Sequence, residues 1–135
     1  MNYIKKTAYG IEISKRNTIT TNPKGLVQYL NQLCIHELTT LEGRLQAIKK
    51  KYDKKYNTPI YINASCCFFY LEPLRNIEAL VINLKTVKTI TKLALNKTQI
   101  TFIDGSILHV MFDEAHVLKR FRQAYELLEL IEASN

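Results

Sequence analysis

CIHELTTLEGRLQAIKKKYDKKYNTPIYI, residues Cys34–Ile62, holds the densest positive charge in the chain and the clearest helix boundaries. Between Arg44 and Lys55 it carries Arg44, Lys49, Lys50, Lys51, Lys54 and Lys55 against one acid, Asp53. Thr39 followed by Glu42 has the spacing of a capping box, in which hydroxyl and carboxylate each satisfy a free backbone donor at a helix start. A helix is therefore predicted from Thr39 or Thr40. Leu41, Leu45, Ile48, Tyr52 and Tyr56 recur at steps of three and four and fall on one face, with Lys50, Lys51 and Lys54 pointing away from it. Asn57-Thr58-Pro59 should end the helix, because proline disfavours helical geometry at the residue before it.

Gly43 is unexpected in the first turns, where glycine costs about 1 kcal/mol relative to alanine. Two accounts offset that cost: close approach of a backbone or a phosphate beside Arg44, near the positive end of the helix dipole, or packing beneath a neighbouring strand. The lysines have a plain alternative too, a solvated helix face.

A chain of 135 residues, 47% hydrophobic, is the size of one domain, 1–135, and buries a core without metal or disulfide help. A net charge of +7 favours an anionic partner, with nucleic acid, anionic lipid and acidic protein as the classes to separate. Three cysteines, Cys34, Cys66 and Cys67, give no disulfide framework, and with no signal-like amino terminus they fit a reducing cytoplasm. No apolar run approaches the ~20 residues a membrane-spanning helix needs.

Outward from the basic segment, Tyr3 through Ile13 and Thr18-Ile19-Thr20 read as a strand, a turn at Lys15-Arg16-Asn17 and a second strand. Asn22-Pro23-Lys24-Gly25 is a turn, and Leu26, Leu30, Leu33 and Cys34 place a short helix over 25–35, with His36 and Glu37 in the connection. Two helices so joined also suggest a helix-turn-helix, against which stand the length of the second and the strands around the pair. After Pro59, strands are predicted at Ile60–Ile62, Cys66–Leu71, Leu80–Leu84 and across Lys85–Lys97 with a turn at Asn96-Lys97. Gln99–Val110 forms a hairpin about Asp104-Gly105, a dipeptide that supports the positive φ angles of a two-residue turn. Asp113 caps a final helix over 113–132, with Val117, Phe121, Ala124, Leu128 and Ile131 inward and Lys119 and Arg122 outward.

Reactive chemistry is sparse. His36, His109 and His116 lack HExxH spacing, and there is no glycine-rich phosphate loop or Gly-x-Ser-x-Gly elbow, so no enzyme, cofactor or metal site is expected. Adjacent Cys66 and Cys67 in a strand point to opposite faces and cannot clasp one ion. They read as packing residues. Basic turns at Lys15-Arg16, Lys24, Arg75 and Lys97 flank the basic helix, and aromatic interleaving is limited to Tyr52 and Tyr56 on the core face, which favours duplex phosphate contact over base stacking.

The order of these pieces resembles the ComK family of competence transcription factors. The resemblance is carried by Pro23-Lys24 through Leu33-Cys34, by Thr39-Thr40-x-x-Gly43-Arg44-x-x-Ala47, by Thr58-Pro59-Ile60-Tyr61-Ile62-Asn63, by a phenylalanine-rich strand closing on Pro73, and by the Ile103-Asp104-Gly105 turn. It runs from Pro23 to Val110, with an echo at Arg122-Gln123-Ala124. This chain has Glu72-Pro73-Leu74 where the family continues Phe-Pro-Thr and then Cys-x-Trp, has no tryptophan, and is shorter at its carboxyl end. The resemblance implies a cytoplasmic, DNA-binding activator of DNA-uptake genes that recognises AT-rich boxes largely from the minor groove. It also implies an oligomer and leaves room for a regulatory adaptor protein.

The combined reading is an α+β domain: a mainly antiparallel sheet or partly closed barrel, with two helices inserted after the first hairpin and a C-terminal helix. Gly43, Arg44, Lys49, Lys50, Lys51, Lys54 and Lys55 are its expected contacts to AT-rich double-stranded DNA. The rival is a pleckstrin-homology-like barrel with a capping helix, serving a membrane surface or a protein partner.

Overall fold

Among the described residues, nine strands and three α-helices follow one another as β1 (Tyr3–Thr7), β2 (Gly10–Lys15), β3 (Thr18–Asn22), α1 (Leu26–His36), α2 (Leu41–Tyr52), β4 (Ile60–Asn63), β5 (Cys66–Tyr70), β6 (Leu80–Asn83), β7 (Val87–Ala94), β8 (Lys97–Phe102), β9 (Ile107–Val110) and α3 (Glu114–Ala133). This is a computed structural model, and it describes residues 1–54 and 56–134. Six strands form an antiparallel sheet in the order β3-β2-β1-β6-β5-β4, and the last three form a second, β7-β8-β9. Two open antiparallel sheets with three helices make an α+β fold without a closed barrel. The architecture on which the pleckstrin-homology-like rival depends is therefore not the one formed.

The centre of the large sheet, where β1, β6 and β5 meet, is buried on both faces because these strands are apolar at consecutive positions, whereas β3 at its edge is exposed. In β5, Cys66, Phe68 and Tyr70 face α1 and α2 with Ile4, Ile11, Leu26, Leu30, Cys34, Leu41 and Ile60. Their neighbours Cys67 and Phe69 face the small sheet and α3, joining Ile82, Ile100, Phe102, Val117, Ala124 and Leu128. One strand thus serves two cores, and the adjacent cysteines belong to opposite ones. Burial raises both thiols, Cys66 and Cys67, to about 12. A third contact, Ile48 with Leu127 and Ile131, packs α2 against the C-terminal half of α3.

Buried polar groups fix the ends. Asn83, 1% exposed, accepts from the backbone N–H groups of Cys67 and Lys85 and donates to the carbonyls of Met1 and Ser65. Its amide is fully bonded, as a buried amide must be. The Asp104 carboxylate accepts from Asn2 Nδ2 at 2.9 Å, from Ser106 N at 2.9 Å and from Asn17 N at 3.2 Å, pinning the β8–β9 turn to the β2–β3 turn.

Several local details differ from expectation. The amino-terminal strand is two strands, so three strands rather than one hairpin precede α1. Chain reversal at Ala8-Tyr9 rests on Gly10, whose φ of +142° and 2.1 Å clearance between a Cβ placed there and the Asn22 carbonyl oxygen exclude any side chain. The Arg16-Asn17 turn is as expected, with φ of 52° and 62°, the signature of a type I′ hairpin. The β8–β9 turn is not of that two-residue kind: Gly105 N donates to Phe102 O and Phe102 N to Ser106 O, both 2.9 Å, which makes a three-residue loop with only Gly105 at positive φ. His36 belongs to α1 rather than to the connection. The terminal helix follows its expected plan, with the Asp113 carboxylate accepting from His116 N at 2.7 Å.

Candidate nucleic-acid interface

Helix α2 begins one residue later than a Thr39–Glu42 capping box requires. Thr40 is the N-cap, and its Oγ1 accepts the Gly43 N–H at 3.0 Å. Glu42 lies one position too early to bond back to the cap, and its Oε1 accepts from Gln46 instead, at 3.4 Å. The Leu41 N–H goes to Asn31 Oδ1 of α1 at 2.9 Å, so the preceding helix fixes where α2 starts. At the other end Asp53 adopts the left-handed conformation, φ 51°, and stops the helix six residues before Pro59. Tyr56 therefore leaves the buried stripe and is 79% exposed, while Leu41 and Ile48 are buried as expected.

Gly43 is exposed, with no strand above it. A Cβ placed there would meet only the Thr40 and Thr39 hydroxyls, at 3.0 and 3.6 Å. The packing account of this glycine fails, and its backbone is open to whatever approaches the helix start. Arg44, half-buried, extends across β4 with its guanidinium carbon 5.7 Å from the centre of the Tyr61 ring. Such a stack contributes ~0.5–2 kcal/mol and holds the planar group in a fixed orientation. Its charge also reaches Cys34, where it opposes the burial that pushes that thiol upward.

Lys49, Lys50 and Lys51 occupy the last turn of α2 and are exposed. Lys51 Nζ lies 5.3 Å from the centre of the Tyr52 ring. The Tyr52 hydroxyl meets Ser134 Oγ at 2.9 Å, a bond that, with Lys51 beside it, lowers the phenol below its ordinary value. Lys49 stands at the rim of an open, mainly apolar groove of ≈ 580 Å³ between α1 and α2, lined also by Val27, Leu41 and Leu45. Lys54 is partly covered and follows the left-handed Asp53, and Lys55 lies outside the described residues. The one ion pair among the described residues joins Lys85 to Glu132, so Lys49, Lys50 and Lys51 have no ion-pair partner among those residues.

The flanking basic turns do not converge. Lys15 sits beside Leu33 and Ser65, Lys24 bonds Gln32 at 2.5 Å, Arg75 is in the exposed β5–β6 connection, and Lys97 belongs to the other sheet. A second basic element was missed by the helix-centred reading. From Ala79 to Ile103 the chain has Lys85, Lys88, Lys92 and Lys97 and no acid, a signal available in the sequence had charge been counted along strands. Three of these lysines lie on the β7–β8 hairpin. Among the described residues, no group of three or more His, Cys, Asp or Glu side chains could hold a metal ion, and no helix is long and apolar enough to cross a membrane. His109 Nε2 faces Gln99 Oε1 at 3.1 Å, and His116 Nε2 faces the Leu71 carbonyl at 2.7 Å while its ring stacks on Phe112.

The molecule is thus of α+β class, and its second helix presents cations with no ion-pair partner among the described residues and an open amino-terminal turn. The chain belongs to the ComK family: the family model described as ComK protein matches residues 2–134. The match extends well beyond the Pro23–Val110 span of the quoted motifs, taking in the first strands and the whole of the C-terminal helix. Membership implies the role of a competence transcription factor, in a family of transcription factors and not of enzymes. Searches of curated proteins and of solved structures return no match.

Proposed function

We propose that residues 1–135 form a single ComK-like DNA-binding domain that activates DNA-uptake genes in the cytoplasm by binding AT-rich duplex DNA through α2. The observation that carries this reading is the exposed triplet Lys49, Lys50 and Lys51, which has no acidic partner among the described residues. With Lys54 and Lys55 it contacts phosphates and gains affinity from counterion release. Gly43 lets the duplex backbone approach the amino-terminal turn, and Arg44, oriented by Tyr61, reaches the groove edge. A narrow AT-rich minor groove concentrates negative potential and favours an inserted arginine. Family membership supports two further partners, a second copy of the chain and a regulatory adaptor protein.

The test is a mobility shift on AT-rich and GC-rich duplexes of equal length, with anionic liposomes as the control. Preferential retardation of the AT-rich duplex is expected. Liposome binding without duplex binding would favour the membrane-surface rival, and equal retention of both duplexes would remove the AT preference.

A further inference from the structure

The β7–β8 hairpin continues past the core it helps to cover. Val87 and Ile90 of β7 pack against the core, but beyond Ile90 every residue from Thr91 to Asn96 is exposed. Its tip reads Lys92-Leu93-Ala94-Leu95-Asn96-Lys97, three apolar side chains between two lysines, with Leu95 in the two-residue turn. Leu93 is 46% and Leu95 75% exposed, so apolar surface is left in water at the turn. A register shift between Lys92 and Ala94 adds local twist to the ribbon. With Lys88 the hairpin carries three cations, none of them in an ion pair among the described residues, and no acid.

We infer that this hairpin is a second duplex-contacting element, with Lys88, Lys92 and Lys97 on phosphates and Leu95 entering the minor groove as an apolar wedge between base steps. Apolar side chains used in this way partly unstack a step and kink the duplex, and flanking cations hold the backbone on either side. This inference rests on the duplex-binding reading of α2 and adds a separate element to it.

Helix α3 supplies the spacing. At its amino end the Glu114 carboxylate accepts the Lys92 N–H at 2.9 Å, which ties the ribbon to the helix. At its carboxyl end Ser134 bonds Tyr52, the residue next to the α2 lysines. The two basic elements therefore lie at opposite ends of one 20-residue helix, which is ~30 Å long. One turn of B-DNA spans about 34–36 Å, so a single duplex face presents phosphates to both ends.

The experiment uses the full chain with an AT-rich duplex that carries a donor and an acceptor dye at its ends and 2-aminopurine at successive steps. Wild type is expected to raise energy transfer and to brighten 2-aminopurine at one step. Leu95→Ser, an exposed change that leaves the fold intact by circular dichroism, should abolish both signals and weaken binding about tenfold or more. Lys92→Gln with Lys97→Gln should flatten the salt dependence by about two units of slope. If wild type binds and α2 substitutions weaken it while Leu95→Ser binds and bends as wild type does, this inference is overturned and the α2 reading stands. A wild type that binds no duplex removes both. Loss of self-association by Leu95→Ser in sedimentation without DNA, with bending retained, would reassign the tip to a contact between copies.

Discussion

Replacing Lys49, Lys50 and Lys51 together by Gln separates a DNA contact from a solvated helix face. All three side chains are exposed and none is in an ion pair among the described residues, so the substitution breaks no buried contact there. Gln and Lys have similar helix propensity, so the loss is that of charges near the negative end of the α2 dipole, together about 1–3 kcal/mol at low salt, and of the contact between Lys51 and the Tyr52 ring. The fold should survive with a modest fall in melting temperature. Each phosphate neutralised on B-DNA contributes about 0.9 to the slope of log affinity against log salt, so three lysines contribute about 2.7. Over a fourfold rise, from about 50 to 200 mM, wild type should lose about 40-fold more affinity than the variant. Fluorescence anisotropy with a labelled AT-rich duplex at four salt concentrations measures this, with thermal melts at the same concentrations. An unchanged slope alongside a lowered melting temperature would mean that the lysines serve the end of the helix and that binding lies elsewhere.

Arg44→Lys should lower discrimination between AT-rich and GC-rich duplexes more than it lowers overall affinity, read from competition titrations, because lysine loses the planar group that Tyr61 orients. Gly43→Ala sets a propensity gain of about 1 kcal/mol against crowding of the Thr40 cap hydroxyl at 3.0 Å, so stability should stay within about 1 kcal/mol of wild type while duplex affinity falls. A severe loss of stability without DNA would instead make the glycine a requirement of the cap. Cys66 and Cys67, with thiols at about 12, should resist iodoacetamide at neutral pH until the protein is unfolded, and replacing both by Ala should leave duplex binding intact while lowering thermal stability. Asp104 is held down to about 2 by the Ser106 hydroxyl, which it shares with Asn17 Oδ1, and by the Ser106 and Asn17 backbone donors and Asn2. Its folded value is depressed, so its contribution is fully present above the unfolded value near 4 and is lost as pH falls from about 4 to 2. Asp104→Asn should remove that part of the acid dependence in melts between pH 5 and pH 2, in steps of about half a unit.

Where a local rule and the tertiary structure agree, the elements were legible. Asp113 caps α3 and its stripe is buried, and β5 alternates between two cores as an apolar run should. Tertiary effects decided the rest. Nothing in Tyr3–Ile13 announces a reversal at Ala8-Tyr9, because Gly10 is required by the approach of Asn22, twelve residues later. Tyr56 extends the α2 stripe by arithmetic alone, whereas Asp53 accepts a left-handed φ and ends the helix first. The basic triplet of α2 was visible as composition, and the engagement of Arg44 by Tyr61 was not, since it depends on where β4 lies. The ribbon tip escaped notice because period-two alternation identifies a strand without saying whether anything covers it.

The pairing of β1 with β6 has a bearing on synthesis. Tyr3, Ile4 and Lys5 sit opposite Ile82, Val81 and Leu80, so the first strand made finds its second neighbour only after most of the chain exists. The β1–β2–β3 meander can close soon after Asn22 emerges, yet one margin of β1 stays open through the next 60 or so residues, roughly 3–12 s at ordinary elongation rates. For that interval the nascent chain exposes Ile4, Ile11 and Ile13 beside unpaired backbone donors and acceptors, a template for pairing with a neighbour on the same polysome. Hazard from aggregation is therefore concentrated before release from the ribosome, in the wait of one half-sheet for the other.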